Sequence, residues 1–303
     1  MAFDLYFAGT QKKEVMNFIR DTGCAKLYSF VDNKALINEY RLGETRGKLF
    51  IDSGAFSVAH RGEEISIDEY IKYINETDGI DIFAQLDVIP YPVLNHKTAL
   101  ASAEQSWKNY EYMINKVKPE KRQLVMPIFH FGEDIKFLRR ILETEHFGEL
   151  PSYIGVGGRH GVSTAKQRKY FKTIFNVIKS SRNSNVKVHA FGMTTLSILE
   201  EFPFTSADST SWLKTAIYGG IITKDFGIVN VSEKSMSKKD NIQHAHDHLL
   251  DPFLAEIERK GFKLEDLQQN YADRLIFNVI TMKEWADNYV CHYDIGPRER
   301  KLF

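Results

Sequence analysis

Up to Asp208, short apolar runs alternate with longer amphipathic stretches, a pattern that predicts repeated strand–helix units and a parallel sheet. The apolar runs place strands at Asp4–Ala8, Lys26–Phe30, Lys48–Asp52, Ile82–Asp87, Gln123–His130, Tyr153–Gly157, Val186–Phe191 and Phe204–Asp208. Helical stretches fill the intervals. Val15, Phe18 and Ile19 share one face of a helix that begins after Thr10. Ser66-Ile67-Asp68-Glu69 has the spacing of a capping box, in which hydroxyl and carboxylate satisfy orphan backbone N–H groups. Thr98–Val117 is long and amphipathic, and Ser163–Lys179 gathers Phe171, Ile174, Phe175 and Ile178 on one stripe. Eight strands with interleaved helices predict an α/β fold, a (β/α)8 TIM barrel, with an open doubly wound sheet as the competing arrangement. The rhythm then changes. Gly219–Val231 reads as a hairpin or a short irregular extension, followed by helices over roughly Lys238–Lys260 and Leu264–Asn288. The expected organisation is a catalytic barrel over 1–218 and a C-terminal extension over 219–303 packed on it.

Composition narrows this picture without redirecting it. A chain of 303 residues suits one barrel, which takes ~250 residues, plus an appendage. Forty basic and forty acidic residues cancel, so any nucleic-acid partner must be held by a local patch. Two distant cysteines, Cys24 and Cys291, argue against a disulfide framework and against a sulfur-rich zinc site. The first residues lack the basic and apolar segments of a secretory signal, and no run reaches ~18 apolar residues. The expectation is a cytoplasmic protein without a membrane partner.

Barrel enzymes carry their chemistry at the C-terminal ends of the strands. Here those ends read Asp52-Ser-Gly-Ala-Phe56, Gln85-Leu-Asp87, His130-Phe-Gly132, Gly155-Val-Gly-Gly158, Phe191-Gly-Met193 and Asp208-Ser-Thr-Ser211. Each has a bland explanation. An Asp after a strand is often a helix N-cap, glycines make tight turns, a lone histidine is usually structural, and Phe56 and Phe191 taken singly would be core. Three carboxylates converging on one mouth are harder to dismiss together. Two of them suit glycosidic chemistry, one attacking the anomeric carbon and the other protonating the leaving group. Aromatic faces above and below would hold a planar base.

The segments FIDSGAF (50–56), AQLD (84–87), PIFHFG (127–132), IGVGG (154–158), HAFGM (189–193) and SADST (206–210) together resemble the tRNA-guanine transglycosylase superfamily, in order and strand position. A weaker likeness runs from His244 to about Trp285. The resemblance implies that Asp208 attacks C1′ of a guanosine nucleotide, guanine leaves, and a 7-deazaguanine takes its place. It implies Asp52 as proton shuttle and Asp87 as acceptor from the base's N1–H and exocyclic amine. Backbone N–H groups at Gly157 and Gly158 would bind O6, and Phe56 and Phe191, with Gly192 beside it, would enclose the ring. His130 stands where the family has a glutamine that meets the base edge.

The cysteine cluster and histidine that bind zinc in the tRNA enzymes are missing, and the nucleophile is followed by Ser-Thr-Ser-Trp. Both departures resemble the DNA-directed branch found in phages and bacterial modification islands. The expected partners are therefore DNA, with tRNA as the alternative polymer, and a 7-deazaguanine base. No cofactor and no metal are implied, and a homodimer stays open. Arg159, His160 and Lys214 are the candidate phosphate contacts, with tail residues Arg298, Arg300 and Lys301. His244 and His248 share a helix face at metal-pair spacing, but with no third ligand evident a polar helix face is the preferred reading. Two further readings remain: a non-catalytic nucleic-acid-binding paralogue, and an unrelated small-molecule barrel enzyme.

Overall fold

A computed structural model describes residues 3–32, 34–55, 64–89, 96–157, 162–193, 195–232 and 247–292. The strands are β1 (Asp4–Ala8), β2 (Lys26–Ser29), β3 (Leu49–Asp52), β4 (Ile82–Ala84), β5 in two pieces (Val125–Met126 and Ile128–Phe129), β6 (Tyr153–Gly157), β7 (Lys187–Phe191) and β8 (Ser206–Ser209). Every pairing among them is parallel, and the order around the sheet runs from the first piece of β5 through β4, β3, β2, β1, β8, β7 and β6 to the second piece of β5. Both ends of that order are one run of chain, so the sheet closes on itself as a (β/α)8 barrel. Pro127 divides β5 because it has no N–H to give the ladder. Its carbonyl still accepts from Gly155 N at 2.8 Å, which carries the pairing across the break.

Closing the sheet leaves alternate residues pointing inward. Tyr6, Ala8, Leu27, Phe50, Ile82, Ala84, Met126 and Ile128 fill the interior. The opposite parity packs outward under the helices, where Phe7, Ile51, Phe83, Val125, Ile154, Val188 and Ala207 join one continuous core. The helices that cover it are α1 (Lys13–Asp21), α2 (Lys34–Arg41), α3 (Ile67–Glu76), α4 (His96–Lys116), α5 (Ile135–Glu143), α6 (Thr164–Ser180), α7 (Leu196–Glu201) and α8 (Ser211–Ile217). Ser66 caps α3 by accepting from Glu69 N, half of the capping box the sequence predicts. Trp212 on α8 is wholly buried and donates its indole N–H to Ala8 O at 2.9 Å, pinning α8 to the end of β1.

Beyond Ile217 come the antiparallel hairpin β9 (Gly220–Thr223) and β10 (Gly227–Asn230), then α9 (Asp247–Arg259), α10 (Leu264–Gln269) and α11 (Tyr271–Asp287). The single helix expected over Leu264–Asn288 is broken. Asn270 sits in extended backbone and its side chain accepts from Ala272 N, so it caps a new helix instead of continuing the old one. Residues 238–246 of the other expected helix, with His244 and His246, lie outside the described residues, and nothing is described of the His248 side chain. Helix α11 belongs to the barrel's outer core through Leu275, Val279 and Met282. Among the described residues no helix is long and apolar enough to cross a membrane.

Asn278 ties this region together. It is fully buried, accepts from Ile222 N of the hairpin at 2.7 Å and donates to Trp212 O of α8 at 3.0 Å. Asn278→Ala strands a backbone N–H and a carbonyl together. We expect urea unfolding to show a loss of about 2–4 kcal/mol. A loss below about 0.5 kcal/mol, the size of an ordinary surface change, would contradict this role.

Candidate active site

The C-terminal mouth of the barrel gathers Asp52 from β3, Asp87 just past β4, His130 just past β5 and Asp208 from β8. Asp52 and Asp208 are inward positions, two residues beyond interior Phe50 and Ser206. The short chain end that carries Asp87 is fixed from outside. Asn109 of α4 donates to Leu86 O at 2.9 Å, and Val88 N donates to Ser106 Oγ at 2.8 Å.

Each carboxylate has a different environment. Asp52 accepts from Gly54 N at 3.1 Å, a contact made by a glycine at φ +84°. A side chain at residue 54 would be strained and would sit 2.5 Å from Ser29 Oγ. Burial lifts the Asp52 carboxyl to about 7, with the negative charges of Asp87 and Asp208 adding to the rise against the Gly54 and Ser53 N–H groups. Asp87 is buried, accepts from Ser53 Oγ at 3.2 Å on one oxygen and faces His130 Nε2 at 2.7 Å on the other. Asp208 takes both its donors on Oδ1, Gly192 N at 2.7 Å and His189 Nε2 at 3.3 Å. Gly192 lies at φ +60°, so here too a left-handed glycine aims an N–H at the functional carboxylate.

Behind Asp208 runs a buried chain of polar groups. His189 Nδ1 lies 2.6 Å from Ser206 Oγ, which lies 2.5 Å from Tyr153 OH. If His189 donates through Nε2 to Asp208, Nδ1 must accept from Ser206, and Ser206 in turn accepts from Tyr153. One tautomer satisfies every group. Beside this chain Tyr6 Oη is buried in the barrel interior with no hydrogen-bond partner among the described residues, its ring edge-on to His189 at 5.8 Å.

His130 is held on both sides. Its Nδ1 lies 3.1 Å from Glu133 Oε1, its backbone N donates to Glu133 Oε2 at 3.0 Å, and Nε2 faces Asp87. Burial works against a charged ring, but hydrogen bonds to Asp87 and Glu133 outweigh it and raise His130 to about 10. Both imidazole nitrogens are therefore taken up by carboxylates of the protein itself. Gly157 has a reason in this packing. A Cβ there would lie 3.1 Å from the His130 ring. Gly155, one inward position earlier, makes room for Phe191, whose ring a Cβ would meet at 2.4 Å. Phe191 packs edge-on to His189 at 4.5 Å and against Phe50 at 5.6 Å, so its inner face belongs to the barrel's aromatic cluster.

Asp52, Asp87, His130, Gly157, Phe191, Gly192 and Asp208 thus lie at one end of the barrel. Phe56, Gly158, Arg159, His160 and the tail cations Arg298, Arg300 and Lys301 lie outside the described residues. Lys214 is exposed on α8, past the nucleophile candidate. Sequence reasoning missed Ser53, Glu133, Tyr153, His189 and Ser206. Inward parity could have found three of them, since Tyr153, His189 and Ser206 precede Gly155, Phe191 and Asp208 by two. Among the described residues no group of three histidine, cysteine, aspartate or glutamate side chains is arranged to hold a metal ion. No family model matches this chain, and no curated protein matches it.

The two raised groups make stability fall with pH. Asp52 binds its proton more tightly folded than unfolded, so its contribution is complete below 3.8 and lost as pH rises through about 7. For His130 the corresponding window runs from 6.5 to about 10. Asp52→Asn removes the lower window. At about pH 8 the variant should be more stable than the wild type by about 1–4 kcal/mol, toward the lower end because Asp52 keeps partial access to solvent. Chemical denaturation on both proteins measures this, and a variant equal to or weaker than the wild type at that pH counts against the raised carboxyl.

Proposed function

We propose that the chain is a base-exchange transglycosylase that replaces guanine by a 7-deazaguanine in a polynucleotide, DNA in preference to tRNA. The observation that carries this reading is the pairing of Asp52, a carboxyl able to hold a proton near neutrality, with Asp208, a second carboxylate aimed by two donors in the same mouth. A carboxyl held protonated by its surroundings suits the acid, and a carboxylate positioned beside it by fixed donors suits the nucleophile. Both donors to Asp208 are on Oδ1, which leaves Oδ2 for attack at C1′. As the Oδ2–C1′ bond forms, the bond to guanine N9 breaks and Asp52 gives its proton to the departing base. The incoming deazaguanine returns a proton to Asp52, its nitrogen takes C1′, and the Asp208 carboxylate is released.

Asp87 supplies the base selection in this reading. A carboxylate has about four acceptor sites. Ser53 and His130 occupy two, and the remaining two match the adjacent N1–H and exocyclic amine of a guanine-type ring. A base lacking that donor pair would leave a buried acceptor unpaired, which is the strongest form of rejection. The polymer preference rests on sequence, namely Ser-Thr-Ser-Trp after Asp208 and the lack of a cysteine cluster. With zero net charge, Lys214 and other local cations must grip the phosphates.

Guanine-exchange labelling with single-stranded DNA, duplex DNA and tRNA offered side by side tests this. We expect incorporation into DNA, lost by more than about 1,000-fold in Asp208→Asn, which is nearly isosteric but a poor nucleophile. Exchange into tRNA alone overturns the polymer assignment. Binding of polynucleotide without exchange overturns the enzyme reading in favour of a non-catalytic paralogue.

A further inference from the structure

The mouth holds three carboxylates, and His130 meets one of them, Asp87, through Nε2 while its Nδ1 meets Glu133. We propose that His130, clamped as an imidazolium between Asp87 and Glu133, is a positioning residue that offsets the charge of Asp87 and so leaves Asp52 as the carboxyl that carries the mouth's proton. This rests on the transglycosylase reading for its catalytic meaning, but the clamp itself is a property of the free protein.

The geometry is closed around the ring. Glu133 is almost wholly buried and spends both carboxylate oxygens on one residue, Oε1 on the ring and Oε2 on the backbone N–H. That double contact fixes the ring plane relative to its own backbone. Gly157 of β6 packs close enough to the ring that a Cβ there would lie 3.1 Å from it, and Tyr170 of α6 donates to Gly157 O at 3.4 Å. On the far side Nε2 meets Asp87. A neutral imidazole has one N–H and cannot donate to two carboxylates at once, whereas an imidazolium can. The groups facing His130 are therefore Asp87 beyond β4 and Glu133 on its own loop, with the Tyr170 phenol near Glu133. Those facing Asp52 are Asp87, Asp208, the Tyr70 phenol and the Gly54 and Ser53 N–H groups. Without a cation beside it, Asp87 would face Asp52 as an uncompensated negative charge.

Histidine-selective nitrogen-15 labelling of the full chain reads the clamp directly. In the wild type we expect the His130 ring to keep both protons well above neutral pH. Glu133→Gln keeps a hydrogen-bond acceptor but removes the charge, and should lower the His130 titration by about one unit or more. Glu133→Asp restores the charge and should recover most of that shift. Base exchange measured across pH should show the alkaline limb of Glu133→Gln displaced from that of the wild type, with Glu133→Asp between them. A wild-type His130 that loses its proton near 6.5, or a Glu133→Gln protein whose His130 titration and pH profile both match the wild type, overturns the proposal. Failure of the exchange reaction in every protein, with the nitrogen-15 shifts as expected, instead overturns the transglycosylase reading and leaves the clamp standing.

Discussion

Crowding three carboxylates into one barrel mouth is the constraint on which the rest of this structure turns. Like charges in such a place cannot all be carried without compensation, and each has been accommodated differently. Asp208 is met by an N–H from Gly192 and by His189, Asp87 by Ser53 and His130, while Asp52 has backbone N–H groups alone and rises to about 7. A barrel suits this task because parallel strands deliver side chains from several strand ends to one place while the helices remain outside. The costs fall on the backbone. Gly54 and Gly192 adopt left-handed conformations to aim their N–H groups, and Gly155 and Gly157 give up side chains to admit Phe191 and His130.

The supports behind the mouth explain why the carboxylates hold their positions. Tyr153, Ser206 and His189 form a line of hydrogen-bonded groups that ends on Asp208, and one tautomer of His189 serves all of it. Glu133 steadies His130 from its own turn, and α4 holds the chain around Asp87 by Asn109 and Ser106. Such outer contacts keep functional groups within the narrow geometry that catalysis needs. Trp212 and Asn278 extend the same logic outward, since they fix α8, which follows Asp208 directly, to β1 and to the C-terminal region.

The barrel was legible because closure imposes a strong rhythm: apolar runs recur at each strand and amphipathic stretches at each helix. Pro127 and the break at Asn270 escaped that rhythm, the first because a proline interrupts a ladder without ending the apolar run, the second because a cap acts through one side chain. Asp52, Asp87 and Asp208 could be read because acidic residues at strand ends contradict the apolar pattern. His189, Ser206 and Tyr153 were within reach of the same alternation, yet a polar residue inside a strand reads as noise until its register is known. Glu133 had no such signal. It lies on a turn, and only the fold shows that its carboxylate curls back on His130.

The most direct measurement is the titration of the Asp52 carboxyl in the free protein, followed by carbon-13 NMR on aspartate-labelled chain and assigned by its loss in Asp52→Asn. The account predicts a midpoint near 7, with the carboxyl still substantially protonated at neutral pH. A midpoint near the ordinary value of 3.8 would contradict it, because Asp52 would then have no proton to give a departing base.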